Sequence, residues 1–165
     1  MRAWSSRFCS AAPDVDAPFG ALSDFFCLAP LSGAFVANPP FEPAVVLAMA
    51  RRMGALLDAA DAADAHLSFI VVMPRWADDA GWRALCGATH ATAELTLPRS
   101  KHAFVDGGQH YARRALGGRG GAPLRLSNHD SSMIFLQSRA AAAVAPVTPD
   151  KQRQLLEAFR GQHGL

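Results

Sequence analysis

The sequence predicts an α/β fold, in which helices alternate with the strands of a layered sheet. Two observations support this prediction: strand-like apolar runs alternate with helical apolar patterns, and the 165 residues are 50% hydrophobic. This length is enough for a sizeable core, as one domain or as part of a larger one. No apolar run approaches the ~20 residues of a membrane span, so we expect no membrane partner.

Strands are predicted where short runs are apolar or alternate in polarity. The run at 66–73 is nearly continuous, rich in β-branched residues and stopped by Pro74, which is typical of a buried strand with parallel neighbours. The predicted strands cover residues 33–38, 66–73, 92–97 and 132–137. Short strands joined by helices favour one sheet with helical crossovers.

Helices are predicted where apolar residues recur at three- and four-residue spacing. Pro43 suits a first helical turn, and the helix that it opens is expected to end near Ala60. Its apolar positions are Val45, Val46, Met49, Met53, Leu56 and Leu57. A short helix is predicted over 78–86, and a last one begins at 148–150, with Leu155, Leu156 and Phe159 on one face.

The predicted sheet lacks the usual beginning of a nucleotide-binding domain. Such domains open with a strand, a glycine-rich turn and a helix whose N-terminus faces the cofactor. Nothing before Asn38 contains a G-x-G turn or an equivalent helix. The chain is therefore expected either to have another fold or to be the later part of such a sheet, with the front donor-binding strands missing.

The most informative motif is Asn38-Pro39-Pro40-Phe41, between a predicted strand and a predicted helix. Ligands of open α/β sheets bind at the carboxyl ends of strands. The prolines keep the turn extended and offer carbonyl acceptors without N–H groups. The Asn38 and Pro39 oxygens could accept both hydrogens of an exocyclic amine while Phe41 stacks on the base, worth ~1–3 kcal/mol. This favours methyl transfer by positioning; the alternative is a plain turn, with Phe41 in the core and Asn38 as a helix cap.

The motif and its surroundings resemble a known family. The motif has the D/N-P-P-F/Y/W form of methyltransferases that act on the amino group of adenine. Further similar blocks follow in one order, at residues 8–10, 13–16, 19–20, 29–35, 37–41, 67–71, 108–110, 135–137 and 145–149. Together they resemble the phosphorylated CTD-interacting factor family, the cap-specific adenosine methyltransferases of eukaryotic mRNA.

This resemblance implies a fold, an activity and a cofactor. It implies that residues 1–165 are the C-terminal portion of a Rossmann-like class I methyltransferase domain that uses S-adenosylmethionine. The substrate would be the exocyclic amine of 2′-O-methyladenosine beside the mRNA cap, and the location would be the nucleus. The family's WW domain, which binds the RNA polymerase II C-terminal domain, is expected to lie outside this chain.

The resemblance also assigns roles to individual residues. Asn38, Pro39 and Phe41 would hold the target adenine, and Pro40 would shape the catalytic turn. Asp14 and Asp16 lie just before the motif, where an acid could bind the ribose hydroxyls of the methyl donor, or could instead serve a turn or a cap.

A basic, glycine-rich stretch at 99–125 is predicted to bind phosphates, with a solvated loop as the alternative. The resemblance gives this stretch a partner, the capped 5′ end of mRNA. The candidate RNA- and cap-binding residues are Trp76, Arg99, Lys101, His110, Arg113 and Arg114.

Other chemistry has little support in the sequence. The six histidines and three cysteines show no ligand spacing, so no metal site and no disulfide are expected. Cys86 is interpreted as a small buried apolar residue without a base partner. Two further functions stay open: a truncated, non-catalytic module that binds RNA or the cap, and an adenine methyltransferase with another nucleic-acid substrate.

Overall fold

The computed structural model describes residues 7–99, 101–105 and 124–161. Its strands are β1 (Phe8–Cys9), β2 (Ala21–Ser23), β3 (Gly33–Ala37), β4 (Leu67–Pro74), β5 (Ala91–Leu97), β6 (Ala103–Val105), β7 (Leu124–Leu126) and β8 (Ser131–Gln137). Its α-helices are α1 (Pro13–Asp16), α2 (Pro43–Ala62), α3 (Ala80–Cys86), α4 (Arg139–Val144) and α5 (Pro149–Gly161). Among the described residues, no helix has both the length and the apolar character needed to cross a bilayer.

The main sheet has four strands in the order β3-β4-β8-β5. Strand β3 pairs in parallel with β4, from Gly33 opposite Leu67 to Ala37 opposite Val71. Strand β8 lies between β4 and β5 and runs antiparallel to both. The α/β class is thus confirmed, and the sheet is mixed: β4 has a parallel neighbour on one side only. The short pairs β1–β2 and β6–β7 form two separate sheets.

The core consists of two layers on the two faces of this sheet. Helices α2 and α3 cover one face, where Ile134 and Leu136 of β8 join the α2 side chains. Met133 and Phe135 point to the opposite face, where Leu155 and Leu156 of α5 pack against them. Alternate side chains of a strand point to opposite faces, so β8, with all its residues buried, supplies both layers.

The predicted helices are present, with small differences at their ends. Helix α2 buries five of its six predicted apolar positions, Val46, Met49, Met53, Leu56 and Leu57. Val45 is only half-buried, Ala60 is buried in addition, and the helix continues to Ala62. Helix α3 begins at Ala80 and not at 78, because the Asp79 side chain caps it by accepting from the Trp82 N–H at 2.9 Å. Helix α4 was not predicted; Ser138 caps it, accepting from the Ala141 N–H at 3.2 Å.

Hydrogen bonds and ion pairs among Asp61, His90 and Arg139 connect three segments at the end of the sheet opposite the Asn38–Phe41 turn. Asp61 near the end of α2 accepts from the Arg139 backbone N–H at 2.7 Å, and its other oxygen lies 3.2 Å from His90 Nε2. The Arg139 N–H, together with His90 and the Arg139 guanidinium, lowers the pKa of Asp61 below its usual value of 3.8, although partial burial opposes the shift. The cluster joins α2, α4 and the residues just before β5.

Alanine substitutions at two glycines of the helical layer should change the free energy of unfolding in opposite directions. A Cβ atom at Gly81 would lie 2.7 Å from Val46 Cγ1 and 2.8 Å from the Leu47 backbone nitrogen, so Gly81→Ala should cost about 1–3 kcal/mol of unfolding free energy. A Cβ atom at Gly54 meets nothing within 4 Å, so Gly54→Ala should stabilise the protein by about 0.5–1 kcal/mol. Urea unfolding measures both, and a neutral Gly81→Ala would show that α2 and α3 are not in this close contact.

Asp61 should contribute stability that depends on pH. A carboxyl group whose pKa is lower in the folded than in the unfolded state stabilises the fold above its unfolded pKa, near 3.8, and loses that contribution as the pH falls through the lowered value. Asp61→Asn should therefore lower Tm at pH 7, and its difference from the unmodified chain should shrink in acid below pH 3.8. The matched control is Asp78→Asn at an exposed position, which should leave Tm unchanged. A constant difference across this pH range would contradict the assignment.

Candidate functional site

The Asn38–Phe41 turn lies where β3 ends and α2 has not yet begun. Pro43 occupies the first turn of α2, and Glu42, in extended conformation, is its N-cap. The Glu42 N–H donates to the Pro40 carbonyl at 2.8 Å, whereas no hydrogen bond among the described residues reaches the Pro39 carbonyl. Pro39 therefore keeps the free acceptor that binding of an amine requires.

The structure contradicts the two placements that the structural alternative gave these residues, Phe41 in the core and Asn38 as a helix cap. The side chain of Phe41 is 46% exposed, so this ring is not in the core. The helix cap is Glu42 and not Asn38, and Asn38 is exposed at the carboxyl end of the strand. An exposed aromatic ring next to exposed acceptors is suited to a planar ligand such as a nucleobase.

Trp76 lies beside this turn. Its ring centroid is 5.9 Å from that of Phe41, and the planes are inclined by 78°, an edge-to-face contact. Because β3 and β4 are parallel neighbours, their carboxyl ends meet at one edge of the sheet, and Trp76 follows β4 as Phe41 follows β3. Two of the predicted site positions, far apart in sequence, are thus brought together.

A cleft of about 360 Å³ opens next to Trp76 at the same edge. We call it the basic cleft, and its lining residues are Arg75, Trp76, Arg99, Asn128, His129 and Asp130. Trp76 and Arg99 were predicted as RNA contacts; Arg75 and the residues at 128–130 were missed. The sequence signal for residues 128–130 is the polar run Asn-His-Asp directly before an apolar strand. This run indicates a site beside Arg75 only if that strand is antiparallel to β4, which the sequence does not show.

The turn before β8 is fixed by hydrogen bonds to both neighbouring strand ends. The Arg75 backbone N–H donates to the Asp130 carbonyl, and the Arg99 backbone N–H donates to Asp130 Oδ1, both at 2.8 Å. Within the turn, Ser127 Oγ donates to the His129 carbonyl at 2.6 Å. The turn that carries Asn128 and His129 is therefore fixed by two hydrogen bonds to neighbouring strand ends and by one within the turn.

A further network supports Arg75 from the sheet. Its guanidinium carbon lies 5.5 Å from the centre of the Trp82 ring, a cation–π contact. Trp82 Nε1 donates to Ser132 Oγ at 3.0 Å, and Ser132 donates to Glu94 Oε1 at 2.8 Å. This chain of hydrogen bonds fixes the indole on which Arg75 lies.

The remaining predicted site residues have separate positions. Asp16 accepts a hydrogen bond from Ser10 Oγ, and Asp14 is exposed on α1. Within the described residues, no hydrogen bond, ion pair or ring contact joins either to the Asn38–Phe41 turn, so their role stays a prediction. Lys101 is exposed and does not line the basic cleft, and His110, Arg113 and Arg114 lie outside the described residues.

Cysteine chemistry is unfavourable at Cys86. It is half-buried against the core, and burial, with the nearby Glu94 charge, raises the pKa of its thiol to about 11. The thiolate is therefore scarce at neutral pH. Among residues 7–99, 101–105 and 124–161, no three metal-ligating side chains form a group that could hold an ion.

Comparison with known proteins decides the family. Residues 1–107 match the family model described as the phosphorylated CTD interacting factor 1 WW domain. The chain belongs to this family. The resemblance inferred from the sequence is therefore confirmed. The described part of the matched range contains the parallel pair β3–β4 and the whole of α2, and hence the Asn38–Phe41 turn and Trp76.

Two curated relatives extend the similarity along the whole chain. A human protein named mRNA (2′-O-methyladenosine-N(6)-)-methyltransferase is 29% identical over 162 residues, which are 97% of this chain and 22% of the relative. The mouse protein of the same name is 28% identical over the same span. This member of the phosphorylated CTD interacting factor family thus spans 22% of the length of these relatives.

Proposed function

We propose that this chain carries the methyl-acceptor site of an S-adenosylmethionine-dependent enzyme. The proposed substrate is the exocyclic amine of a 2′-O-methyladenosine beside the cap of mRNA. The observation that carries the proposal is the Asn38–Phe41 turn, exposed at the carboxyl edge of the sheet with Trp76 in ring contact. The family membership and the names of the two relatives support the same reaction.

The residues of the turn fit the chemistry of an aromatic amine. Asn38 Oδ1 and the free Pro39 carbonyl each accept one of the two amine hydrogens, which fixes the direction of the nitrogen lone pair. Phe41 contacts the face of the base, and Trp76 supports Phe41 from the side. The rate gain from such a site comes from orienting the reacting nitrogen, so no side chain with a strongly shifted pKa is required.

S-Adenosylmethionine, when bound, would supply an electrophilic methyl group: the N–C bond would form as the sulfonium S–C bond breaks, S-adenosylhomocysteine would leave, and one amine proton would pass to solvent. Asp14 and Asp16 are the proposed contacts to its ribose hydroxyls, because a carboxylate accepts from both hydroxyls. Asp16 already accepts from Ser10, whereas Asp14 is exposed and has no hydrogen-bond partner through its carboxylate within the described residues. Asp14 is therefore the stronger candidate.

The proposed domain is the later part of a Rossmann-like class I methyltransferase sheet. Mixed sheets are common among large sheets, and β8 here runs antiparallel between β4 and β5, which are parallel to each other. Strand β3 is at the edge of the four-stranded sheet, and Val36 on it is 75% exposed. We propose that the donor-binding strands of the complete domain pair with this edge.

The proposed partners and location follow from the family and the relatives' names. Capped mRNA is the proposed substrate molecule, and the phosphorylated C-terminal domain of RNA polymerase II is the proposed protein partner. The nucleus is therefore the proposed location. A non-catalytic RNA-binding module is the second candidate, favoured by the basic cleft, which can act without a methyl donor.

The test is transfer of a labelled methyl group to RNA that begins with a cap and 2′-O-methyladenosine. Asn38→Ala removes the acceptor oxygen at an exposed position and should reduce the rate at least ~100-fold without unfolding the chain. Asn38→Asp keeps an acceptor oxygen and is the matched control, which should retain measurable transfer. Undiminished transfer by Asn38→Ala would contradict the proposed role.

The same assay separates the alternative functions. Uncapped RNA and DNA of the same sequence should be poor substrates; equal transfer to either would favour an adenine methyltransferase of another specificity. A folded chain that binds RNA but transfers no methyl group would favour the non-catalytic module.

A further inference from the structure

The basic cleft has a chemistry distinct from that of the acceptor turn. We propose that it binds the phosphate of a nucleotide next to the target adenosine on single-stranded RNA, with Arg75 and Arg99 as the phosphate ligands and Asn128 and His129 as the opposite wall. This inference rests on the proposed function, since it extends the substrate site by one nucleotide.

The first argument is charge. The side chains of Arg75 and Arg99 are exposed, and within the described ranges no carboxylate oxygen lies within 4.0 Å of either guanidinium. Asp130 is the acidic residue of the lining, and its Oδ1 accepts from the Arg99 backbone N–H, which leaves the Arg99 guanidinium available. Two guanidiniums without an ion-pair partner outnumber the one carboxylate of the lining, so the cleft is net positive and favours a phosphate, which guanidiniums can bind through paired N–H donors.

The second argument is rigidity. The Asp130 hydrogen bonds join the turn at 127–130 to the end of β4 and to the residue after Pro98. The two ring nitrogens of the buried His102 lie 2.9 Å from the Pro98 carbonyl oxygen and 2.9 Å from Ser131 Oγ. The backbone carbonyl of His102 accepts from the Ser127 N–H at 3.1 Å. A wall fixed in this way loses little conformational entropy when it binds a ligand.

The third argument is position. Trp76 lines the basic cleft and also contacts Phe41, so the cleft and the proposed adenine site share one side chain. An aromatic ring beside guanidiniums and polar side chains is the combination with which proteins bind single-stranded RNA, by stacking bases and neutralising the backbone. A free phosphate ion would use the arginines but not the Trp76 ring. The nucleotide adjacent to the target adenosine uses all of them.

The test is binding of a ten-nucleotide single-stranded RNA, followed by fluorescence anisotropy without methyl donor at several salt concentrations. Arg99→Gln should weaken binding about tenfold at low salt and reduce the slope of log Kd against log salt by about 0.7, the value for one lost phosphate contact. Arg75→Gln should have the same effect. Arg51→Gln, which removes an equal charge from an exposed position of α2 outside the cleft, should change neither quantity.

Each outcome decides for or against the inference. Equal effects of Arg51→Gln and Arg99→Gln would show that only net charge matters and would overturn it, as would an absence of RNA binding by the folded chain. Inorganic phosphate that competes as well as RNA, phosphate for phosphate, would also overturn it. Binding that weakens only in the cleft variants would support the inference even if no methyl transfer were found. The RNA-binding proposal and the methyl-transfer proposal can therefore be contradicted independently of each other.

Discussion

The antiparallel pairing of β8 with β4 determines which residues line the basic cleft. The register runs from Ser68 opposite Gln137 to Pro74 opposite Ser131, and every residue of β8 is buried. Because the strands are antiparallel, the turn before β8 meets the residues after β4, which places Asn128 and His129 beside Arg75. A slip of one residue would exchange the two faces of β8 and move Ile134 and Leu136 from the α2 layer into the layer under α5, where Met133 and Phe135 pack. The packing of the two layers therefore fixes the register, and the register fixes which residues line the cleft.

The polar groups at the two ends of this sheet differ in whether they have partners within the chain. At one end, Ser138 donates to the Ala65 carbonyl at 2.7 Å and accepts from the Leu67 N–H at 3.1 Å, while Asp61 and Arg139 join α2 to α4. These buried or locally paired polar groups have their partners within the chain. At the other end, the Pro39 carbonyl accepts no hydrogen bond within the described residues, and the exposed Arg75 and Arg99 have no carboxylate partner there. Paired groups stabilise the fold, and unpaired ones remain for a ligand.

The sequence alone predicted the long elements and the place of the Asn38–Phe41 turn between a strand and a helix, because both depend on local chemistry. Helix α2 has a sustained apolar period and a proline at its start, and Asn38–Phe41 is a short, unusual string. The partners of β8 could not be predicted, since strand order depends on contacts distant in sequence. For the same reason Asn128 and His129 were missed. Helix α4 was missed because its short, alanine-rich run has little periodicity, and its cap depends on Ser138.

The central claim is that the parallel strands β3 and β4 bring the Asn38–Phe41 turn and the basic cleft together at the carboxyl ends of these strands. Detecting the contact between Phe41 and Trp76 tests this claim most directly. Nuclear Overhauser effects between the Phe41 ring protons and the Trp76 indole protons would measure it in solution. The Trp82 indole and Ser132, which are joined by a hydrogen bond of 3.0 Å, provide the internal reference. We expect cross-peaks at both pairs. A spectrum with the Trp82–Ser132 cross-peaks but none between Phe41 and Trp76 would contradict the shared site.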